Sequence, residues 1–155
     1  MPIVEISTHF DASPDQVWEA LQKPRLLQFV ARPILHFTPI DPPQFPERWT
    51  PRDYTVRMWF LGVLPVGRQI IGLSHPQAEG DERFIRDNGR SAIIKRWDHL
   101  ISIAPEDNGT RYTDRVEIEA GLLTPFIVAF AHVFYRHRQR RWRRLIAKDF
   151  NDPCF

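Results

Sequence analysis

The chain has 155 residues, 43% hydrophobic, 12% aromatic and 26% charged, with a formal net charge of +2. That balance excludes a disordered or fibrous chain and suits one domain, residues 1–155, able to bury a single core. The positive excess is local: residues 136–155 carry 7 basic and 2 acidic groups, whereas residues 1–135 carry 14 and 17.

The first segment, PIVEISTHF, alternates well enough for a strand and stops at DASPDQVWEAL. There Ser13 suits an N-cap, Pro14 the first helical position and Gln16 the far side of a capping box, which predicts a short helix over Pro14 to Leu21. Pro24 opens a second short helix that Pro33 ends. Prolines 39, 42, 43, 46 and 51 make the next stretch mostly loop, with a short strand on either side. Five strand-like runs follow: DYTVRMWFLG, VGRQIIGLSH, DERFIRD, GRSAIIKRWDHLISIA and TRYTDRVEIEAG. Their separators, LPVG, HPQAEG, DNG and PEDNG, are turn vocabulary, so the runs form an antiparallel meander. Thr124 then caps, Pro125 opens, and no breaker appears before Pro153, giving one helix of about 25 residues. The plan is α+β, and the terminal helix is the only element long enough to cover the sheet.

The opening MPIVEISTHF has neither a basic lead nor a signal-length apolar run, and predicts no secretory signal. Phe126 to Val133 is an apolar run of eight residues with His132 inside it, too short for a bilayer. The single cysteine, Cys154, excludes an internal disulfide framework and points to a reducing cytoplasm. His9, His36, His75, His99, His132 and His137 are scattered without metal-ligand spacing, and no glycine-rich phosphate loop occurs. Neither a metal nor another cofactor is expected.

Over its whole length the chain resembles the SRPBCC superfamily, the START and birch-pollen-allergen-like helix-grip proteins. The resemblance rests on FDASPDQVWEAL, WFLGVLPVGRQI, KRWDHLISIAPEDNGTRYTDRVEIEAG and YRHRQRRWRRL. It implies a curved antiparallel sheet of six or seven strands wrapped around the long C-terminal helix, two short helices after the first strand, and a hydrophobic cavity between sheet and helix. Such cavities serve lipids, hormones, polyketides or small aromatics in different members. The superfamily also contains cyclases, which makes a polyketide cyclase-like branch the nearest expectation, but no catalytic signature can be carried over residue by residue.

The segment YRHRQRRWRRL holds six arginines. Projected at 100° per residue, Phe126, Ile127, Phe130, Val133 and Phe134 fall within about 60° of one line, an apolar stripe toward the sheet. The same line continues through His137, Arg141, Arg144 and Lys148, so His137 or Arg141 could bring a cation to the cavity wall. Arg136, Arg140 and Arg143 point away and should be solvated. Nucleic acid is not the expected partner, because the rest of the chain is net acidic and carries no such motif. Transient contact of the basic helix with an anionic membrane is a lesser alternative, and the residues say nothing about oligomeric state.

Alternation places Ile93, Lys95, Trp97, His99, Ile101 and Ile103 on one strand face, and Tyr112, Asp114, Val116 and Ile118 on the facing one. A tight EDNG turn pairs Ile103 with Tyr112 and sets Asp114 opposite Ile101 and diagonal to His99, or opposite His99 after a two-residue register shift. His99 and Asp114 are therefore candidates either for a satisfied buried pair or for acid/base work. Trp59, Phe60, Phe84 and Trp97 read as core, with Trp97, Phe130 and Phe134 as candidate wall residues. The expected function is binding of a hydrophobic or amphipathic small molecule, with Trp97, His99, Asp114, Phe130, Phe134, His137 and Arg141 as ligand-facing residues. The rival is a cyclase or dehydratase that uses His99 and Asp114; a binding role is preferred over an enzymatic one.

Overall fold

The computed structural model describes residues 1–155. The elements run β1 (Ile3–Phe10), α1 (Pro14–Leu21), α2 (Pro24–Ala31), β2 (Leu35–Asp41), β3 (Asp53–Phe60), β4 (Leu64–Ser74), β5 (Arg83–Ser91), β6 (Arg96–Glu106), β7 (Gly109–Glu119), a 3-10 turn (Gly121–Leu123) and α3 (Thr124–Ala147). Seven strands form one antiparallel sheet in the order β1-β7-β6-β5-β4-β3-β2. The α+β plan with two short helices and a long terminal one is therefore the observed architecture. No helix is long and apolar enough to cross a membrane.

Local chemistry explains most boundaries. The Ser13 hydroxyl accepts from the Gln16 amide at 3.2 Å and the Gln16 side chain accepts from the Ser13 amide at 3.1 Å, the reciprocal box that starts α1. That helix buries Val17, Ala20 and Leu21, spaced three and four apart on one face. Pro39 lies inside β2 rather than in a loop; β2 is an edge strand with an irregularity between Pro39 and Asp41, where a missing amide hydrogen is tolerated.

Two expected turns are strand instead. LPVG belongs to β4, and the chain reverses over residues 61–63, where Leu61 (φ 55°) and Gly62 (φ 74°) supply the left-handed backbone. DNG lies within β5: the Asp87 carboxylate accepts the Gly72 amide at 2.9 Å, and at Gly89 an added Cβ would meet the Trp97 carbonyl oxygen at 3.1 Å. The glycine there answers a close approach between strands, not a reversal. The reversal comes after Ser91, whose hydroxyl takes the Ile94 amide, so Ile93 and Lys95 lie in a turn and not on the expected strand face. Thr124 does not cap α3 either; its hydroxyl accepts from the Ala120 amide and donates to the Gly121 carbonyl, tying the 3-10 turn to the helix start.

α3 packs against β1, β7 and α2. Its two halves differ in a way opposite to their composition. The arginine-rich half carries the tight packing, where Trp142 is fully buried with its ring 5.3 Å from Phe10 and 5.4 Å from Tyr112. Burial of such side chains contributes about 1.5–3 kcal/mol each. In the phenylalanine-rich half, Phe126 is 73% exposed and Val133 62% exposed. The buried seam is Ala131, Phe134, Tyr135, Arg138, Gln139, Trp142 and Leu145. Arg136, Arg140 and Arg143 are exposed, as expected of a solvated face.

Candidate functional site

Between the first half of α3 and strands β2–β6 lies a cavity of about 600 Å³, lined by 22 residues of which 16 are hydrophobic. This is an ordinary size for a small-molecule site. Leu35 and Phe37 of β2, Met58 and Phe60 of β3, Ile71 of β4 and Leu27 of α2 form the floor, and Ile127, Phe130 and Phe134 of α3 face them. Phe130 and Phe134 stack at 5.4 Å. Val66, Ile93, Leu123 and Phe126 line the cavity while remaining exposed to solvent, so they mark its apolar mouth.

The polar lining is made chiefly by Gln69, Asp87, His99 and Arg138. A second void of about 60 Å³ lies on the other side of Asp87, His99 and Arg138, which therefore stand between the main cavity and a space suited to one or two waters. Burial pushes the Asp87 carboxyl up to about 7, against the opposing pull of the Gly72 amide and of Arg138. Between the Ile70–Arg90 and Leu73–Asp87 pairs the β4–β5 ladder is interrupted without a change of register, and there the Asp87 carboxylate takes the Gly72 amide of β4.

His99 and Asp114 meet as the hairpin register requires. Ile103 pairs with Tyr112 and Ile101 with Asp114, which puts Asp114 diagonal to His99 with Oδ1 2.8 Å from Nε2. Asp114 also accepts from the Tyr112 hydroxyl at 3.2 Å and, through Oδ2, from Gln139 at 3.1 Å; Gln139 donates to the Ile6 carbonyl as well. Burial opposes ionisation of Asp114, but the His99 hydrogen bond and the positive charge of Arg138 prevail and hold its carboxyl below the usual range. For His99 burial wins, holding the imidazole below its ordinary value despite Asp114. The ring is therefore neutral near pH 7: Nε2–H donates to the carboxylate, and Nδ1 keeps its lone pair.

Trp97 lies in the cavity wall and its Nε1 donates to the Tyr135 hydroxyl at 3.0 Å, so two aromatic residues present apolar faces while satisfying each other's polar atoms. Of the candidate residues, Trp97, His99, Phe130 and Phe134 share the cavity lining, and Asp114 lies behind His99. His137 and Arg141 are elsewhere. His137 Nε2 donates to the Arg32 carbonyl at 2.7 Å, and Arg141 Nε donates to the Phe29 carbonyl at 3.1 Å with its guanidinium 4.2 Å from the Phe29 ring centre. Both answer the open carbonyls at the C-terminal end of α2.

The helix does bring a cation to the wall, and it is Arg138, 6% exposed. The projected line misses it because that line runs through Phe126 and Val133, both of which are exposed. Arg138 precedes Arg141 by three residues, a rotation of about 60°. The spacing Ala131, Tyr135, Arg138, Trp142, Leu145, alternating four and three, is the signal that identifies the true seam.

A family model described as a domain of unknown function (DUF8410) matches residues 8–146. No curated protein matches the sequence. Among solved structures, a START superfamily protein from Mycobacterium smegmatis is similar over 94% of this chain and 97% of its own, with 12% identity and a TM-score of 0.60. The AHSA1 protein from Silicibacter pomeroyi is similar over 96% of this chain and 99% of its own, at 13% identity and a TM-score of 0.62. Protein Ms6760 from Mycobacterium smegmatis reaches a TM-score of 0.67 at 14% identity, over 95% of this chain and 92% of its own. At these identities the likeness establishes the fold alone, a helix-grip fold.

Proposed function

We propose that this chain, which belongs to the DUF8410 family, binds a hydrophobic or amphipathic small molecule of lipid, polyketide or aromatic type between its sheet and α3. The observation that carries the reading is the apolar hollow of about 600 Å³ under the first half of α3. A folded chain gains nothing by leaving such space empty, since unfilled volume forfeits dispersion contacts. A guest burying about 300 Å² of apolar surface would gain roughly 7 kcal/mol before the costs of immobilisation. Trp97, Phe130 and Phe134 supply apolar wall, and His99, held by Asp114, supplies a polar contact. A cytoplasmic location belongs to the same proposal, supported by the single cysteine.

The test is native mass spectrometry of protein purified from its own host, followed by extraction and identification of the released molecule. A stoichiometric guest that leaves unchanged supports a carrier. Protein that arrives empty and also fails to bind a neutral fluorescent probe such as N-phenyl-1-naphthylamine refutes it.

One observation favours a second reading. The His99–Asp114 pair leaves Nδ1 of a neutral imidazole without a protein partner beside the cavity, the arrangement of a general base. In a cyclase or dehydratase this nitrogen would take a proton from a bound substrate. Turnover lost in His99→Ala while the fold and probe binding persist would establish that role.

A further inference from the structure

Two buried side-chain nitrogens have no hydrogen-bond partner, Trp142 Nε1 and Arg138 Nε. The first is packed between Phe10 and Tyr112. The second belongs to a guanidinium in the cavity wall that forms no ion pair, although a buried charge ordinarily requires one. Its carboxylate neighbours are otherwise engaged. Asp114 favours the charge of Arg138 through space, but Oδ1 is taken by His99 and Tyr112, and Oδ2 by Gln139. Asp87 receives the Gly72 amide and lies outside ion-pair distance of Arg138. The Tyr112 hydroxyl points its hydrogen at Asp114. Arg138 rests instead on rings, 5.3 Å from the Tyr135 centroid and 5.8 Å from that of Phe134, which orient it without supplying an acceptor.

The molecule therefore maintains, at the inner polar end of an otherwise apolar hollow, a cation that is paired with no carboxylate and whose Nε–H meets no acceptor. On the reading that the cavity takes a small molecule, we propose that Arg138 is the anchor for a carboxylate on that molecule, so that the guest is an amphipathic monocarboxylate bound head-inward with its apolar body toward Phe126 and Ile93. A guanidinium presents two parallel N–H bonds that match the two oxygens of a carboxylate. The site offers one uncommitted positive charge beside the carboxyls of Asp87 and Asp114, so a doubly charged phosphate monoester is disfavoured. His99 and Asp87 complete the polar end, His99 as a neutral acceptor and Asp87 able to share a proton with the guest.

The test compares decanoate, decan-1-ol and decyl phosphate at pH 7, each displacing N-phenyl-1-naphthylamine from the wild-type chain, from Arg138→Met and from Arg138→Lys. The expected result is that wild type prefers decanoate to decan-1-ol by about tenfold or more, and to decyl phosphate as well. Arg138→Met binds the neutral probe at least as well as wild type yet has no preference for decanoate, and Arg138→Lys retains part of it. Arg138 and Asp114 favour each other's charged forms, so Arg138→Met should melt lower than wild type, and the preferences are compared among variants whose neutral-probe binding shows them to be folded.

Equal binding of decanoate and decan-1-ol by wild type, an undiminished preference in Arg138→Met, or decyl phosphate binding as tightly as decanoate would each overturn the assignment. Loss of neutral-probe binding by wild type is a different outcome, which removes the container reading itself and the assignment with it.

Discussion

Replacing Asp114 with alanine should be among the most damaging single changes in the chain. The side chain is 1% exposed and accepts from His99 at 2.8 Å, Gln139 at 3.1 Å and Tyr112 at 3.2 Å. Alanine orphans the His99 and Tyr112 donors, each at about 1–3 kcal/mol, while Gln139 keeps the Ile6 carbonyl. Arg138 also loses the negative charge that most favours its ionised form. Relief of the buried carboxylate's own desolvation offsets part of this, leaving a net loss of about 3–5 kcal/mol. In a chain of this length that corresponds to a fall in Tm of roughly 6–20 °C. Asp114→Asn keeps an oxygen for His99 and Tyr112 but turns an amide donor toward Gln139, so it should lose about half as much. Urea unfolding followed by tryptophan fluorescence measures both, with the m-value unchanged. A loss below about 1 kcal/mol for alanine, or an alanine variant no weaker than the asparagine one, would show that the network does not hold the sheet to α3.

Other expectations follow from the same geometry. Asp87 has a folded pKa raised from its ordinary value to about 7, so the protonated folded form is favoured and the stability it contributes is lost as pH rises through 7. Asp87→Asn, which can still accept from Gly72, should gain about 1–2 kcal/mol over wild type at pH 8, an advantage that vanishes near pH 4; a pH-independent difference in urea midpoints contradicts it. His99 has a depressed pKa, so its contribution is present above its unfolded value and lost as pH falls through the range below about 6.5. In His99→Gln the acid limb of the stability profile should therefore flatten, and an unaltered limb would refute this. At Gly109 an added Cβ would collide with the Phe10 carbonyl oxygen, a backbone atom held by the β1–β7 pairing. Gly109→Ala should cost about 2 kcal/mol or more in the same assay, and a neutral result would mean that β1 is not seated as described.

Much of the fold is legible in the sequence because its signals are local. Ser13 and Gln16 start α1 through their own side chains, and the alternation of Trp97, His99, Ile101 and Ile103 against Tyr112, Asp114, Val116 and Ile118 puts His99 and Asp114 on one face, while the β6–β7 register that leaves them diagonal is settled by the turn. What escapes is set by tertiary contact. Asp87-Asn88-Gly89 has the composition of a turn but runs straight, since Asp87 answers an amide in β4 and Gly89 makes room for a neighbouring strand. Arg138 escapes because a helix that covers a hollow need not bury its most hydrophobic side chains: Phe126 sits at the mouth, and the buried seam passes through charged and polar residues instead. His137 and Arg141 are bound to α2, a partner that no pattern within α3 announces.

The central claim is that the space beneath Phe126–Phe134 accepts a guest. It is tested most directly by titrating N-phenyl-1-naphthylamine into the wild-type chain and into Ile127→Trp, whose larger side chain occupies the hollow between α3 and the sheet. Saturable binding of one probe per chain in wild type, lost in a folded Ile127→Trp, is the predicted result; no binding to wild type, or equal binding to both, contradicts the account.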